Sequence, residues 1–537
     1  MAFTRREFIT RAGQAGGFSA AFVAMQSLGL MPERAAAAES MNAAPGTGKG
    51  VKVAILGGGI AGLVSAYELR AFGFECTVLE ARSRPGGRNW TVRAGDKIVF
   101  TDGTTQECHW DEGHYQNFGP ARLPSIHTTM LGYCRKLGVE LQVEINTSRS
   151  SLLQNDDANG GRPMVQRQVI NDTRGHVSEL LAKCVNAGAL DQELTAIDRD
   201  RVLSFLRIYG PLDSAGKYVG SERAGYKVTP GAGDQTGVLS DPIDMHTLLD
   251  EDFWQGILFE EQFDMQATMF QPVGGMDRIP YAFAKSLGKI VQYESPVAAI
   301  RKTGKGVRIE YSHKGESKSL EADYCVCAMP LTILKKTPND FSEPYKRVIE
   351  ESMYAHAYKI AWESRRFWEQ DYNIYGGLEF VNEGCSPVWF PSAGLFTPRG
   401  VLVSGYTDES FGGFEGLALD EKFAESRRTI ERLHPGHGKE LEKPLYVGWG
   451  KIPWNEGSWI QSYGGGEGAW EGTPRPGRMA PDQTRTFSGY ETLTQPDGPI
   501  YFAGCHVSHV VAWQEGAALS AQRAVRMIGQ RVKGTAT

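Results

Sequence analysis

Gly57, Gly59 and Gly62 stand at GxGxxG spacing, and Glu80 follows 18 residues beyond the last of them. Glycines so placed let a chain turn sharply, bring backbone against a pyrophosphate and pack a helix closely on a strand. The carboxylate lies near the roughly 20-residue offset at which an acidic side chain accepts hydrogen bonds from an adenosine ribose. This is dinucleotide-binding chemistry, with the phosphates on a helix N-terminus whose unpaired N–H groups and dipole favour an anion. The elements needed to position these residues flank them. Residues 51–56, VKVAIL, read as a strand buried on both faces. Residues 61–72 carry apolar side chains at helical spacing up to Gly73, and CTVLE forms a second buried strand closing on Glu80.

ARSRPGGR follows at once, and a glycine pair ahead of an arginine is not required by a nicotinamide site. GGGIAGLVSAYEL with TVLEARSRPGGR resembles the FAD-binding opening of the flavin amine oxidase family, which includes monoamine, polyamine and L-amino acid oxidases. The resemblance covers nearly all of residues 50–530 and is strongest at the two ends. It implies an FAD held without a covalent bond by Gly57, Gly59, Ile60, Ala61, Gly62, Glu80, Ala81, Arg82, Gly87 and Arg88. In that family Arg88 would lie over the diphosphate; otherwise Arg82, Arg84 and Arg88 form a solvated basic loop.

NFGPARLP resembles the GPxRLP segment of L-amino acid oxidases, which implies Gly119, Pro120, Ala121 and Arg122 at the cofactor and Arg122 forked onto the substrate α-carboxylate. A guanidinium suits that task because its planar donors meet a carboxylate in pairs; the structural alternative is pairing with a nearby Asp. YKIAWESRRFW places Lys359 at the start of a strand, where the family's lysine holds a water against flavin N5, although a lysine on a sheet face is otherwise solvated. GYTD aligns Tyr406 with a tyrosine that joins the arginine at the carboxylate, or else it is a half-buried strand aromatic. Val297 matches a residue giving backbone hydrogen bonds to adenine. FAGCH with AWQEGA resembles the family's closure, implying Gly504, Cys505, Gln514 and Ala517 at the flavin and Ala512 and Trp513 beside the substrate. Cys505 departs from the family's usual glutamate, which puts the ribityl hydroxyl contact in doubt.

The chain has 537 residues, enough for two or three domains, and its net charge of −6 argues against nucleic acid as the main partner. The fold class expected is α/β. A Rossmann-like FAD-binding domain is assembled from residues 50–125, 266–334 and 491–532, with a helical insertion at 126–265 and an α+β substrate domain at 335–490. Residues 210–239, rich in Gly and Ser, suggest a long mobile loop. His246, Trp254 and Phe259 could line a substrate funnel or simply pack, and Trp454, Trp459 and Trp470 have no assigned role. Residues 1–38 carry Arg5-Arg6, a modest apolar stretch and an alanine run. They resemble a twin-arginine export signal with cleavage after Ala38, implying a periplasmic or secreted protein without a stable membrane anchor. Eight cysteines show no paired metal-ligand spacing; Cys325 and Cys327 read as buried thiols, and no metal is expected.

These resemblances imply oxidative deamination of L-amino acids by dioxygen to 2-oxo acids, ammonia and hydrogen peroxide, with a homodimer as a possible assembly. The alternatives are an amine oxidase for substrates without a carboxylate, an amino acid 2-monooxygenase forming an amide, and a non-catalytic flavin-binding protein.

Overall fold

The computed structural model describes residues 46–409, 413–463 and 488–534. The expected export signal and Trp470 lie outside the described residues. The chain opens with β1 (Lys52–Leu56), α1 (Ile60–Ala71) and β2 (Glu75–Leu79). After α2 (Thr128–Leu137) and a long excursion, it supplies α3 (Arg278–Leu287), β3 (Val291–Gln292) and β4 (Tyr324–Cys327). It then runs through β5 (Ala357–Arg365), β6 (Arg399–Asp408) and β7 (Glu442–Gly448), and ends with β8 (Ile500–Phe502) and α4 (Gln514–Val532).

The first sheet has the order β3-β2-β1-β4-β8, with every pair parallel. Parallel strands covered on both faces need apolar residues at successive positions, which is how KVAIL and YCVC read. Cys325 and Cys327 are fully buried in β4, and all eight cysteines are free. Gly62 shows why no larger residue serves at the first turn of α1: a Cβ there would sit 1.9 Å from the Gly57 carbonyl oxygen. The helix thereby lies directly on the strand, with its N-terminus at the glycine turn.

The second sheet has seven strands, and β6-β5-β7 form one edge of it. Lys359 of β5 pairs with Tyr406 of β6. The alternation in YKIAWES suggests a strand with one buried face, yet its first eight residues, Lys359 and Glu363 included, are all buried. A polar side chain there must find a partner inside the protein.

Two expectations need correction. By sequence Pro124 and Ser125 suit a helix start, yet Leu123–Pro124 extends as a strand against Met269–Pro272, and α2 starts at Thr128. Within 210–239, residues Tyr226–Val228 pair with Val238–Leu239, so that stretch contains a hairpin. The start of α2 is capped from a distant element. Glu515 on the first turn of α4 accepts from the backbone N–H groups of Thr129 (2.9 Å) and Met130 (2.8 Å), which satisfies two donors a helix start leaves open. This cap joins the flank of the Arg122 segment to the helix that closes the chain. Replacing Glu515 by Ala should lower stability by about 1–2 kcal/mol, read from the urea midpoint of the FAD-loaded protein. The Gln variant should be intermediate, and an unchanged midpoint in both would remove the cap from the fold's support.

Candidate functional site

One cavity is lined by the glycine turn, by the ends of β2 and β8, by the N-terminus of α4 and by residues from the second sheet. Its walls include Gly57, Gly59, Ile60, Ala61, Glu80, Ala81, Arg82, Gly87 and Arg88 from the opening motif. Gly119, Pro120, Val297, Tyr406, Gly504, Cys505, Ala512, Trp513, Gln514 and Ala517 complete the expected set that lines it. Gly62 packs behind the turn, as its missing Cβ requires. Ala121 borders a second cavity on the other side of the same loop.

The polar groups of this cavity are fixed but incompletely partnered. Glu80 accepts from the N–H of Gly58 through Oε2 (2.7 Å) and from that of Arg82 through Oε1 (2.9 Å), so its carboxylate is held at the end of β2. Arg88 donates to the Ser458 carbonyl and, at 3.3 Å, to the Cys505 sulfur. Among the described residues no carboxylate lies within ion-pair distance of it. Its side-chain partner there is the Cys505 thiol. His506 is buried with neither ring nitrogen partnered. Burial, and then the charge of Arg88, push its pKa down to about 3, so the ring is neutral. A Cβ on Gly59 would meet nothing within 4 Å, which leaves open space at the helix N-terminus. A fixed carboxylate, an uncompensated guanidinium, an unpartnered imidazole and a free helix start fit a dinucleotide with a charged diphosphate.

A second cluster stands beside it. The loop carrying Arg122 is locked to the arginine segment, since a Cβ on Gly119 would lie 1.8 Å from the Arg88 carbonyl oxygen. Arg122 is 8% exposed; its guanidinium lies 4.6 Å from the ring centre of Trp389 and 5.6 Å from that of Phe259, and it donates to the Asn146 side-chain oxygen. Lys359 donates to the carbonyls of Asn117 (2.8 Å) and Gly119 (2.7 Å). The same ammonium lies 5.4 Å from the Trp389 ring centre and 4.8 Å from that of Tyr406. Tyr406 stacks on Trp389 at 6.5 Å. Arg122, Tyr406 and Lys359, read from three separate stretches, are therefore gathered around one indole.

Glu144 completes the cluster. Its Oε1 accepts from the Trp389 indole N–H at 3.1 Å, while Oε2 is buried without a hydrogen bond. Burial raises its pKa to about 7, opposed by the charge of Arg122. Burial lowers that of Lys359 to about 7, assisted by Arg122 and opposed by Glu144. Burial also raises Tyr406, which keeps its hydroxyl protonated at neutral pH. Ala512 has φ +68°, a left-handed conformation that costs a residue with a Cβ about 1–2 kcal/mol, and it turns the chain immediately before Trp513. The Trp513 ring meets His127 edge to face at 4.9 Å.

Sequence reasoning missed Glu144, Asn146, Trp389 and His506. A glutamate and an asparagine on a short, half-polar segment give no periodic signal, and PVWF reads as plain strand core. His506 had one clue, its place directly after the anomalous Cys505. Of the three funnel candidates, Phe259 is buried beneath Arg122, Trp254 is half-buried and His246 is exposed. Trp454 and Trp459 line the first cavity. Elsewhere, Asp111, His114 and Glu363 bring ligand atoms within 4.8 Å of one another. Lys443 sits 2.7 Å from Asp111 and 2.5 Å from Glu363 and already supplies their positive partner. No helix among the described residues is long and apolar enough to cross a membrane.

Comparison with known proteins finds relatives along most of the chain. The L-amino-acid oxidase of Protobothrops flavoviridis is 25% identical over 494 residues, covering 89% of this chain and 88% of its own. A flavin-dependent L-tryptophan oxidase of Lentzea aerocolonigenes is 25% identical over 512 residues, covering 89% and 98%. Among solved structures, cyclohexylamine oxidase from Brevibacterium oxydans superposes with a TM-score of 0.57 at 18% identity, over 90% of this chain and 99% of that one. Putrescine oxidase with putrescine bound gives 0.55 at 18% identity, over 89% and 98%. The model of the family of flavin-containing amine oxidoreductases matches residues 60–528, and the chain belongs to that family, with FAD as its cofactor.

Proposed function

We propose that this flavoenzyme is an L-amino acid oxidase. The observation that carries the reading is Arg122: a buried guanidinium with no carboxylate within 4 Å among the described residues, next to Tyr406, a residue lining the cofactor cavity. A simple amine presents nothing for such a charge to bind, whereas an α-carboxylate does. The oxidases of cyclohexylamine and putrescine share the fold, and their low identity extends the likeness no further.

Arg122 and the protonated Tyr406 hydroxyl bind the carboxylate and so fix the α-carbon. Trp513 and Ala512 close the cavity from the start of α4, and the buried walls exclude water. FAD held along Glu80, Arg88 and the start of α4 would supply the two-electron chemistry, hydride acceptance from the α-carbon and reoxidation by dioxygen to hydrogen peroxide. No side chain is needed as a strong base if the substrate amine enters deprotonated; positioning is the main contribution of the protein. Lys359 has two donors committed to backbone carbonyls, which leaves one for a water that would serve imine hydrolysis and the oxygen half-reaction. Residues 1–38 would direct export; processing of the precursor in a twin-arginine-competent cell, and its loss in a strain without that pathway, tests this.

Steady-state kcat/KM for an L-amino acid and for its decarboxylated amine, by peroxide formation, tests the carboxylate assignment. Arg122→Ala should lower the ratio of the two by about 100-fold, the worth of roughly 3 kcal/mol of charge-assisted hydrogen bonding. An unchanged ratio would favour an amine oxidase for substrates lacking the carboxylate, and peroxide well below one per dioxygen would favour the monooxygenase. Denaturation should release all flavin into the supernatant; flavin that stays with the polypeptide in mass spectrometry would overturn non-covalent binding.

A further inference from the structure

We propose that Glu144 is the exchangeable counterion of the carboxylate site: it balances Arg122 and Lys359 when the site is empty and takes a proton from solvent when a ligand carboxylate docks on Arg122. The inference rests on the carboxylate reading above and assigns a residue the motifs do not contain.

Two buried cations, Arg122 and Lys359, lie over a single indole at 4.6 and 5.4 Å, and the N–H of that indole ends on Glu144. Glu144 is 4% exposed, has one hydrogen bond, and leaves Oε2 without a partner. A buried carboxylate under permanent structural duty is normally held by several donors; this one is held at one oxygen only. It also borders the second cavity, which gives a proton a route to it that does not cross the first. Of the other charged groups lining that cavity, His114 pairs with Glu363, Arg366 with Glu369 and Arg399 with Glu442, and Glu112 is exposed to solvent. Within the cluster, Tyr406 stays protonated, and Asn146 and Trp389 are uncharged. Glu144 therefore answers to Arg122 and Lys359.

A ligand carboxylate arriving at Arg122 places a second anion in the same dry cluster. Like charges raise the cost of the ionised form, and the incoming anion satisfies the cation that had stabilised Glu144. A group poised near neutrality then protonates, one proton passing from water to the Glu144 carboxylate, and the cluster's net charge is unchanged. Affinity for a carboxylate must accordingly fall as pH rises, by up to about tenfold per unit.

Calorimetry of the FAD-loaded enzyme with phenylacetate, which has no α-amine to oxidise, reads this directly. Titrations at pH 7.5 in two buffers of different ionisation enthalpy give the protons taken up, and phenylacetamide serves as the uncharged control. Phenylacetate should bind with uptake of about half a proton or more, and the amide with none. Glu144→Gln should abolish most of the uptake and flatten the pH dependence, Glu144→Asp should retain both, and Lys359→Met should keep the uptake. Uptake that survives Glu144→Gln but vanishes in Lys359→Met would overturn the proposal by moving the proton to the lysine. If wild type shows no uptake although the carboxylate binds far better than the amide, the proposal also fails while the Arg122 reading stands. Equal binding of acid and amide would instead sink the Arg122 reading itself.

Discussion

Two cations share the buried faces of one tryptophan, and the surrounding structure must make that arrangement tolerable. Taking a guanidinium and an ammonium out of water is expensive unless each finds partners in the interior. Here the partners come from four directions: the Asn146 oxygen, the carbonyls of Asn117 and Gly119, the π faces of Trp389, Phe259 and Tyr406, and the single carboxylate of Glu144. Burial moves both Lys359 and Glu144 toward neutrality, so the cluster softens its own cost by holding protons loosely. Such displaced titrations are common at functional sites because the same low dielectric that makes them costly also strengthens the binding of a complementary ion.

The rest of the fold serves that cluster and the cavity beside it. The parallel sheet delivers the glycine turn, Glu80 and the segment after β8 to one edge. The second sheet supplies Lys359 and Tyr406 from paired strands and Trp389 from a neighbour. The two are tied by the loop at residues 117–122, whose Gly119 lies against the arginine segment and whose flank is capped by Glu515. A small residue at 119 is therefore as necessary to the site as Arg122. Cys505 fits the same logic: with a thiol beside it and no carboxylate within ion-pair distance among the described residues, Arg88 keeps a charge that suits a diphosphate.

What the sequence disclosed followed from local rules. The glycine turn, α1, β2 and the closing helix were legible because buried parallel strands and helix starts restrict residue types at fixed offsets. Arg122, Lys359 and Tyr406 were legible only because the short motifs around them resemble known ones; as an isolated strand lysine, Lys359 reads as solvated, and only the structure shows β5 buried on both faces. Glu144, Asn146 and Trp389 were not legible, since their importance comes from packing against residues more than a hundred positions away for Trp389 and from a cation across the loop for the other two. Pro124 misled for a related reason: proline suits a helix start, but pairing with Met269–Pro272 took precedence.

The most direct measurement is a crystal structure of the FAD-loaded enzyme with phenylacetate bound. Its carboxylate oxygens should lie within hydrogen-bond distance of both the Arg122 guanidinium and the Tyr406 hydroxyl, with the methylene turned to the flavin. A carboxylate seated elsewhere in the cavity, with Arg122 still engaged only by Asn146, would contradict the assignment of this site to amino acids.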